Sequence, residues 1–129
     1  MSPLIKLLTE TLTNFPEVDA AWLFGSAKEG IVRPGGDVDI GILLRTGSHN
    51  LPEIHLTLQR VLNSDDVDLV ELTPDLDSIL AFEVLNGARL LVRDVERVAE
   101  LSSLVSRQYE DEMAYRFASL KRNHPQKAP

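Results

Sequence analysis

The chain has 129 residues, 43% hydrophobic and 26% charged, the size and balance of one soluble globular unit with a single core. Its net charge of -7 excludes a surface built to wrap bulk nucleic acid, which needs a basic face, but leaves room for a local site that holds one phosphorylated ligand. With no cysteine it has neither disulfides nor thiolate metal sites, and no apolar run approaches the roughly 18 residues of a membrane span. The start, Met1-Ser2-Pro3-Leu4 with Lys6 and Glu10, does not read as a signal peptide, so a cytoplasmic location is expected.

Ser2 followed by Pro3 has the form of an N-cap and first helical residue, and Leu4, Leu7, Leu8 and Leu12 recur at helical spacing. A first helix is predicted from about Pro3 to Asn14, ended near Pro16. The apolar run Ala20 to Phe24, stopped by Gly25, predicts a buried strand, with Ser26 to Gly30 as a short helix or turn. Pro34, Gly35 and Gly36 make 31–36 a loop. Asp37 to Leu44 predicts a second strand. Leu51, Ile54, Leu58 and Val61 predict a second helix with Asn50 as its cap. A third strand is expected at Val67 to Leu72, a third helix at Leu76 to Asn86 with Gly87 at C′, and a fourth strand at Ala88 to Val92.

Asp94 then caps a long helix, along which Val95, Val98, Leu101, Val105, Tyr109, Met113, Phe117 and Leu120 step by three or four. At about 25 residues it would reach roughly 38 Å. That is about the width of the whole molecule, so its far end either lies across the sheet or projects toward a partner. The organisation expected is one α/β (α+β) unit over 1–129: a core at about 18–95, a C-terminal helix at about 95–122 and a polar tail at 123–129.

The chemistry concentrates in Leu23-Phe24-Gly25-Ser26, ten further residues, then Asp37-Val38-Asp39. Gly25 has no Cβ, so the backbone can turn sharply and approach a phosphate. Ser26 adds a hydroxyl and a backbone N–H at the start of a turn, where donors collect. Asp37 and Asp39 are two apart on a predicted strand, so they share a face, roughly 6.6 Å apart in rise. That spacing suits one divalent cation, or two at about 3.5–4 Å. Oxygen-only ligands favour Mg²⁺ over zinc. Asp68 sits inside the otherwise apolar Val67-Asp68-Leu69-Val70, where a buried carboxylate needs a partner such as a metal. Singly, a Gly-Ser is a turn, an Asp-x-Asp is a solvated strand end, and Asp66 and Asp68 are loop acids. The joint pattern of strand, Gly-Ser, fixed gap and carboxylates on two further strands is what points to a site.

Gly25-Ser26-x10-Asp37-x-Asp39 resembles the signature of the DNA polymerase β-like nucleotidyltransferase superfamily. The small size, the strand around Asp68 and the closing helix are similar to its minimal MNT branch, whose members are often antitoxins paired with HEPN-domain toxin ribonucleases. The resemblance covers about residues 18 to 95. It implies a mixed β-sheet of about four strands with helices on one side, and an ATP-Mg²⁺ site. Asp37 and Asp39 would bind two Mg²⁺ ions. Asp68 would bind the catalytic ion and activate the acceptor hydroxyl, and Gly25 and Ser26 would hold the triphosphate. The acceptor it implies is a tyrosine of the HEPN toxin, adenylylated in type VII fashion. The sequence departs from the family where Ala27 replaces a common basic residue and Gly36 a common serine. Lys28 and Arg33 would supply the missing positive charge.

Two other readings stay open: an antitoxin that neutralises its partner by binding alone, and a small-molecule nucleotidyltransferase of the aminoglycoside type, which would ordinarily carry a further substrate domain. Elsewhere the sequence offers little. His49, His55 and His124 lack metal-ligand spacing and read as surface residues, Trp22 reads as core, and Lys121, Arg122 and Lys127 form a basic end.

Overall fold

The structure, a computed structural model, describes residues 2–123. His124, Lys127 and the rest of the tail lie outside the described residues, as does the side chain of Arg122. Among the described residues four helices and four strands follow in the order α1 (Pro3–Thr13), β1 (Val18–Phe24), a 3-10 turn (Gly25–Ala27), β2 (Val38–Leu44), α2 (Leu51–Leu62), β3 (Val67–Glu71), α3 (Ser78–Leu85), β4 (Ala88–Val92) and α4 (Val95–Asn123). Among the described residues no helix is long and apolar enough to cross a membrane.

The helix ends follow their local chemistry. The Ser2 hydroxyl accepts from the Ile5 N–H (3.4 Å) and donates to the Gly30 carbonyl (2.7 Å), capping α1 and tying down the loop after β1. At the other end of α1 the Arg93 guanidinium donates to the Thr13 carbonyl, which has no partner in the helix, and to the carbonyls of Phe15 and Val18 beyond it, at 2.6–2.9 Å. Asn50 stands at the N-cap position of α2, but its side chain makes no capping bond. It donates instead to Glu17 Oε1 (2.8 Å), and this bond is the main cause holding the Glu17 carboxyl below its ordinary pKa. α3 is shorter than expected, beginning two residues later at Ser78, and Asp77 caps it through the Ile79 N–H (2.7 Å).

The strands form one mixed sheet in the order β3-β2-β1-β4. β1 pairs antiparallel with β2 and β4, and β2 pairs parallel with β3. The two central strands are apolar almost throughout because both of their faces are covered. Leu8 and Leu12 of α1 and Ile54 and Leu58 of α2 pack with Leu23, Ile40 and Ile42. Ala81 and Val84 of α3 and Val98 and Val105 of α4 pack with Trp22, Phe24 and Leu43. Alternation along a strand puts these two sets on opposite faces. Helices therefore cover both sides of the sheet, not one side as the resemblance implied.

Two glycines set how closely layers meet. A Cβ on Gly41 would run into Val84 of α3, and one on Gly87 would run into the Leu23 carbonyl of β1. At the start of α4, Arg97 donates to Asp19 Oδ2 (2.6 Å) and to the Leu44 carbonyl (2.7 Å). From there α4 runs 29 residues, about 43 Å at 1.5 Å per residue. Its apolar stripe is covered only in the first half. Val98 and Val105 are buried and Tyr109 half-buried, whereas Met113, Phe117 and Leu120 are 42%, 69% and 57% exposed. Val95, assigned to the stripe from sequence, is 69% exposed, because the first residue of the helix precedes its contact with α3.

Gly41→Ala is expected to destabilise the fold by about 1–3 kcal/mol through overpacking. Combined with Val84→Ala, it should cost clearly less than the two single changes added together. Urea unfolding of the three variants measures this, and simple additivity would show that the glycine is not kept for this contact.

Candidate active site

Sheet topology gathers the residues. The antiparallel pairing of β1 with β2 sets Phe24 opposite Asp39, and the parallel pairing of β2 with β3 sets Asp68 on Asp39's other side. Asp39 shares its face of β2 with Gly41 and Leu43, the face covered by α3 and α4. Gly25 follows β1 directly with a left-handed φ of 72°, and a Cβ there would fall on Asp39 Oδ2. Both facts demand glycine: the backbone conformation is strained for any other residue, and the carboxylate fills the space.

Asp39 is half-buried and Asp68 exposed. The expectation of a buried Asp68 fails because β3 is an edge strand and the aspartate looks out from it. Asp37 is also exposed and stands one residue before β2, which begins at Val38. The parallel ladder is nonetheless extended there by the Val38 N–H donating to the Asp66 carbonyl (2.9 Å). His55, which reads as a surface residue, is half-buried with Nε2 2.6 Å from the Val67 carbonyl. A carbonyl only accepts, so Nε2 carries the proton and fixes the residue before Asp68 to α2.

The Asp39 carboxyl titrates above its ordinary range. Burial is the main cause, followed by repulsion from Asp68, Asp37 and then Glu83. Glu83 projects from α3, held against β2 by the Gly41–Val84 contact, and was not anticipated from sequence. The one available signal was that it is the only charged residue in the helix Ser78–Leu85. Among the described residues no three acidic or histidine side chains are gathered tightly enough to form a ready ligand shell. The donor chemistry nevertheless fits a hard divalent cation: carboxylate oxygens alone, on adjacent strands, with a charge cost at Asp39 that a cation would remove.

Beside Gly25 opens a cleft of about 580 Å³. Gly25, Ser26 and Lys28 line one part of it, and Ile79, Phe82, Glu83, Asn86 and Tyr109 of α3, its C-cap and α4 line the rest. Arg33 does not line it. That residue lies on the exposed 31–36 loop, where its carbonyl accepts from the Gly36 N–H (2.8 Å). Lys28 is thus the only basic side chain of the two proposed from sequence that the structure brings to the cleft.

A two-faced α/β layer with paired carboxylates beside a Gly-Ser turn fits the nucleotidyltransferase class. The polymerase beta nucleotidyltransferase family matches residues 6–97, and the chain belongs to that family. Its fold is also that of several solved toxin–antitoxin complexes. A chain of a mutant MntA-HpeT toxin-antitoxin is 27% identical, with a TM-score of 0.69 over 91% of this chain and 92% of that one. Two others share the fold at lower identity. One belongs to a toxin-antitoxin with AMP-PNP (24%, TM-score 0.71, 91% and 95% covered). The other belongs to a tri-AMPylated Shewanella oneidensis HEPN toxin in complex with MNT antitoxin (23%, TM-score 0.66, 91% and 96% covered). No curated protein matches the chain.

The raised Asp39 carboxyl fixes the sign of a stability effect. The folded protein holds that proton more tightly than the unfolded chain does, so the ionised group is a burden at neutral pH that is relieved as pH falls through the folded-state value. In metal-free buffer at pH 7, Asp39→Asn is expected to raise Tm by about 2–4 °C, and the gain should shrink as the pH is lowered. Mg²⁺ should raise the Tm of the wild type and leave that of the variant nearly unchanged. A variant that melts lower than wild type without metal would refute this account of the site.

Proposed function

We propose that the chain transfers AMP from ATP to a hydroxyl, most simply a tyrosine, of a HEPN-type toxin and thereby acts as its antitoxin. The observation that carries this reading is the pairing of Asp39 with Asp68 across adjacent strands, directly against the Gly25 turn. The family membership supports the reaction type, and the structural relatives support the partner.

Each residue then has a task. The Gly25 turn brings the backbone close to the triphosphate, the Ser26 N–H and hydroxyl donate to it, and Lys28 offsets its charge. Arg33 would join them only if its exposed loop folded inward. Asp37, Asp39 and Asp68 would hold two Mg²⁺ ions, which when bound neutralise phosphate charge and stabilise the charge that develops on the transferred group. The acceptor oxygen attacks the α-phosphorus, the bond to the bridging oxygen breaks and pyrophosphate leaves. Asp68, exposed on the edge strand, takes the acceptor's proton.

A second reading, neutralisation by binding alone, draws on two features: among the described residues Lys28 is the one basic side chain lining the cleft, and the apolar end of α4 is uncovered there. Intact-mass spectrometry of a HEPN partner incubated with the chain, ATP and Mg²⁺ separates the two. Transfer should add one or more AMP units, and Asp39→Asn should slow this by about 10³-fold or more. A stable complex with no mass gain would instead favour binding alone.

A further inference from the structure

The cleft is lined by two chemically different sets of residues and by one carboxylate, Glu83. In one set the Gly25-Ser26 turn and Lys28 suit phosphates. In the other, Phe82 and Tyr109 stack with ring centroids 3.9 Å apart and planes 10° from parallel, and Ile79 extends the apolar surface. Such a wall suits a flat heterocyclic base. At about 580 Å³ the cleft is large enough for a whole nucleotide.

Glu83 is tied to both sets. It follows Phe82 directly in α3 and lines the same cleft, while its charge reaches Asp39 beside the Gly25 turn. Its backbone position is fixed from behind, because neighbouring Val84 packs on the bare Cα of Gly41, two residues beyond Asp39 in β2. The Glu83 side chain makes no hydrogen bond or ion pair among the described residues, so both carboxylate oxygens are free to accept. In a nucleotide the group between phosphates and base is the sugar, and the hydroxyls of ribose are donors that an ionised carboxylate complements.

Resting on the nucleotidyl-transfer reading above, we propose that Glu83 accepts hydrogen bonds from the ribose hydroxyls of the nucleotide and makes the site selective for ribonucleoside over deoxyribonucleoside triphosphates. A fourth carboxylate beside the phosphates would only repel a triphosphate. Beside the sugar it is offset by two donors, and a deoxy-sugar that withholds one of them leaves the carboxylate partly unpaired.

The test is calorimetric binding of ATP, 2′-deoxy-ATP and 3′-deoxy-ATP to the full chain in Mg²⁺, with AMP transfer to the HEPN partner followed in parallel. The wild type should bind ATP about tenfold or more tightly over at least one deoxy analogue. Glu83→Ala should collapse that ratio to near unity. Glu83→Gln, which keeps the length and one accepting oxygen, should retain part of it, so a folding defect in the alanine variant would not hide the effect. A ratio unchanged in Glu83→Ala, or a wild type indifferent to the sugar, would overturn the proposal. So would a Glu83→Ala loss that falls equally on all three nucleotides, since that would make Glu83 part of the phosphate-charge environment. Sugar selectivity in binding without AMP transfer would leave this inference standing and overturn the transfer reading instead.

Discussion

A carboxylate held against bare backbone is the constraint on which the rest of this structure depends. Asp39 can sit where it does only because Gly25 has no Cβ and adopts a positive φ. The same economy recurs around it. Gly41 lets α3 settle on β2 just beyond Asp39, and Gly87 lets the α3–β4 junction settle on the end of β1 just before Gly25. Close approach on both flanks narrows the space that Asp39, Glu83 and the turn share. A side chain at any of the three positions would have to displace what it meets: the Asp39 carboxylate at Gly25, Val84 at Gly41 and the Leu23 carbonyl at Gly87.

That crowding has an energetic consequence. Burial and three neighbouring acids all act against the ionised form of Asp39, so the site opposes folding at neutral pH. The opposition is tolerated because the sheet is covered on both faces, giving two apolar clusters rather than one. Polar clasps at a distance add to this. Arg93 closes the end of α1, and Arg97 ties the start of α4 to β1 and β2. Functional sites commonly carry such local conflict while the surroundings over-determine the structure. A bound cation would turn the same repulsion into affinity, since the protein gains by RT ln(1 + [L]/Kd) whatever the ligand relieves.

Much of this was legible in the sequence because the signals were local. The strand around Trp22, the Asp-x-Asp strand and the helical stripe of α1 follow from residue periods, and Ser2-Pro3 marks its helix start. Gly25, Asp39 and Asp68 were legible as a set, since fixed spacing across three strands is rare by accident. What was not legible depends on three-dimensional layering. Helix periodicity does not say which face of a sheet a helix covers, so coverage of both faces came only with the structure. Asp68 reads as buried because Val67 and Leu69 flank it, but strand order decides exposure, and β3 is at the edge. Glu83 lies 44 residues from Asp39 along the chain, and Asn50 and His55 turned to distant partners, Glu17 and the Val67 carbonyl, that no local rule names.

The strand order also bears on how two substrates would meet. In the order β3-β2-β1, Asp39 stands in the middle, with the Gly25 turn and its cleft on one flank and Asp68 on the other. The cleft is lined by the turn, α3 and α4, and Asp68 is not part of its lining. Displacement at phosphorus requires the attacking and leaving oxygens to lie roughly in line on opposite sides. A nucleotide seated in the cleft with its α-phosphate over Asp39 would send pyrophosphate out past Gly25 and Lys28. The attacking hydroxyl would then have to arrive from the side of β3, where the sheet edge is open and Asp68 waits exposed. Separate approaches for donor and acceptor suit a large acceptor, because a protein loop can reach an open sheet edge without displacing the nucleotide. Under the proposed reading, the edge position that makes Asp68 look misplaced as a buried carboxylate is what makes it accessible as the base.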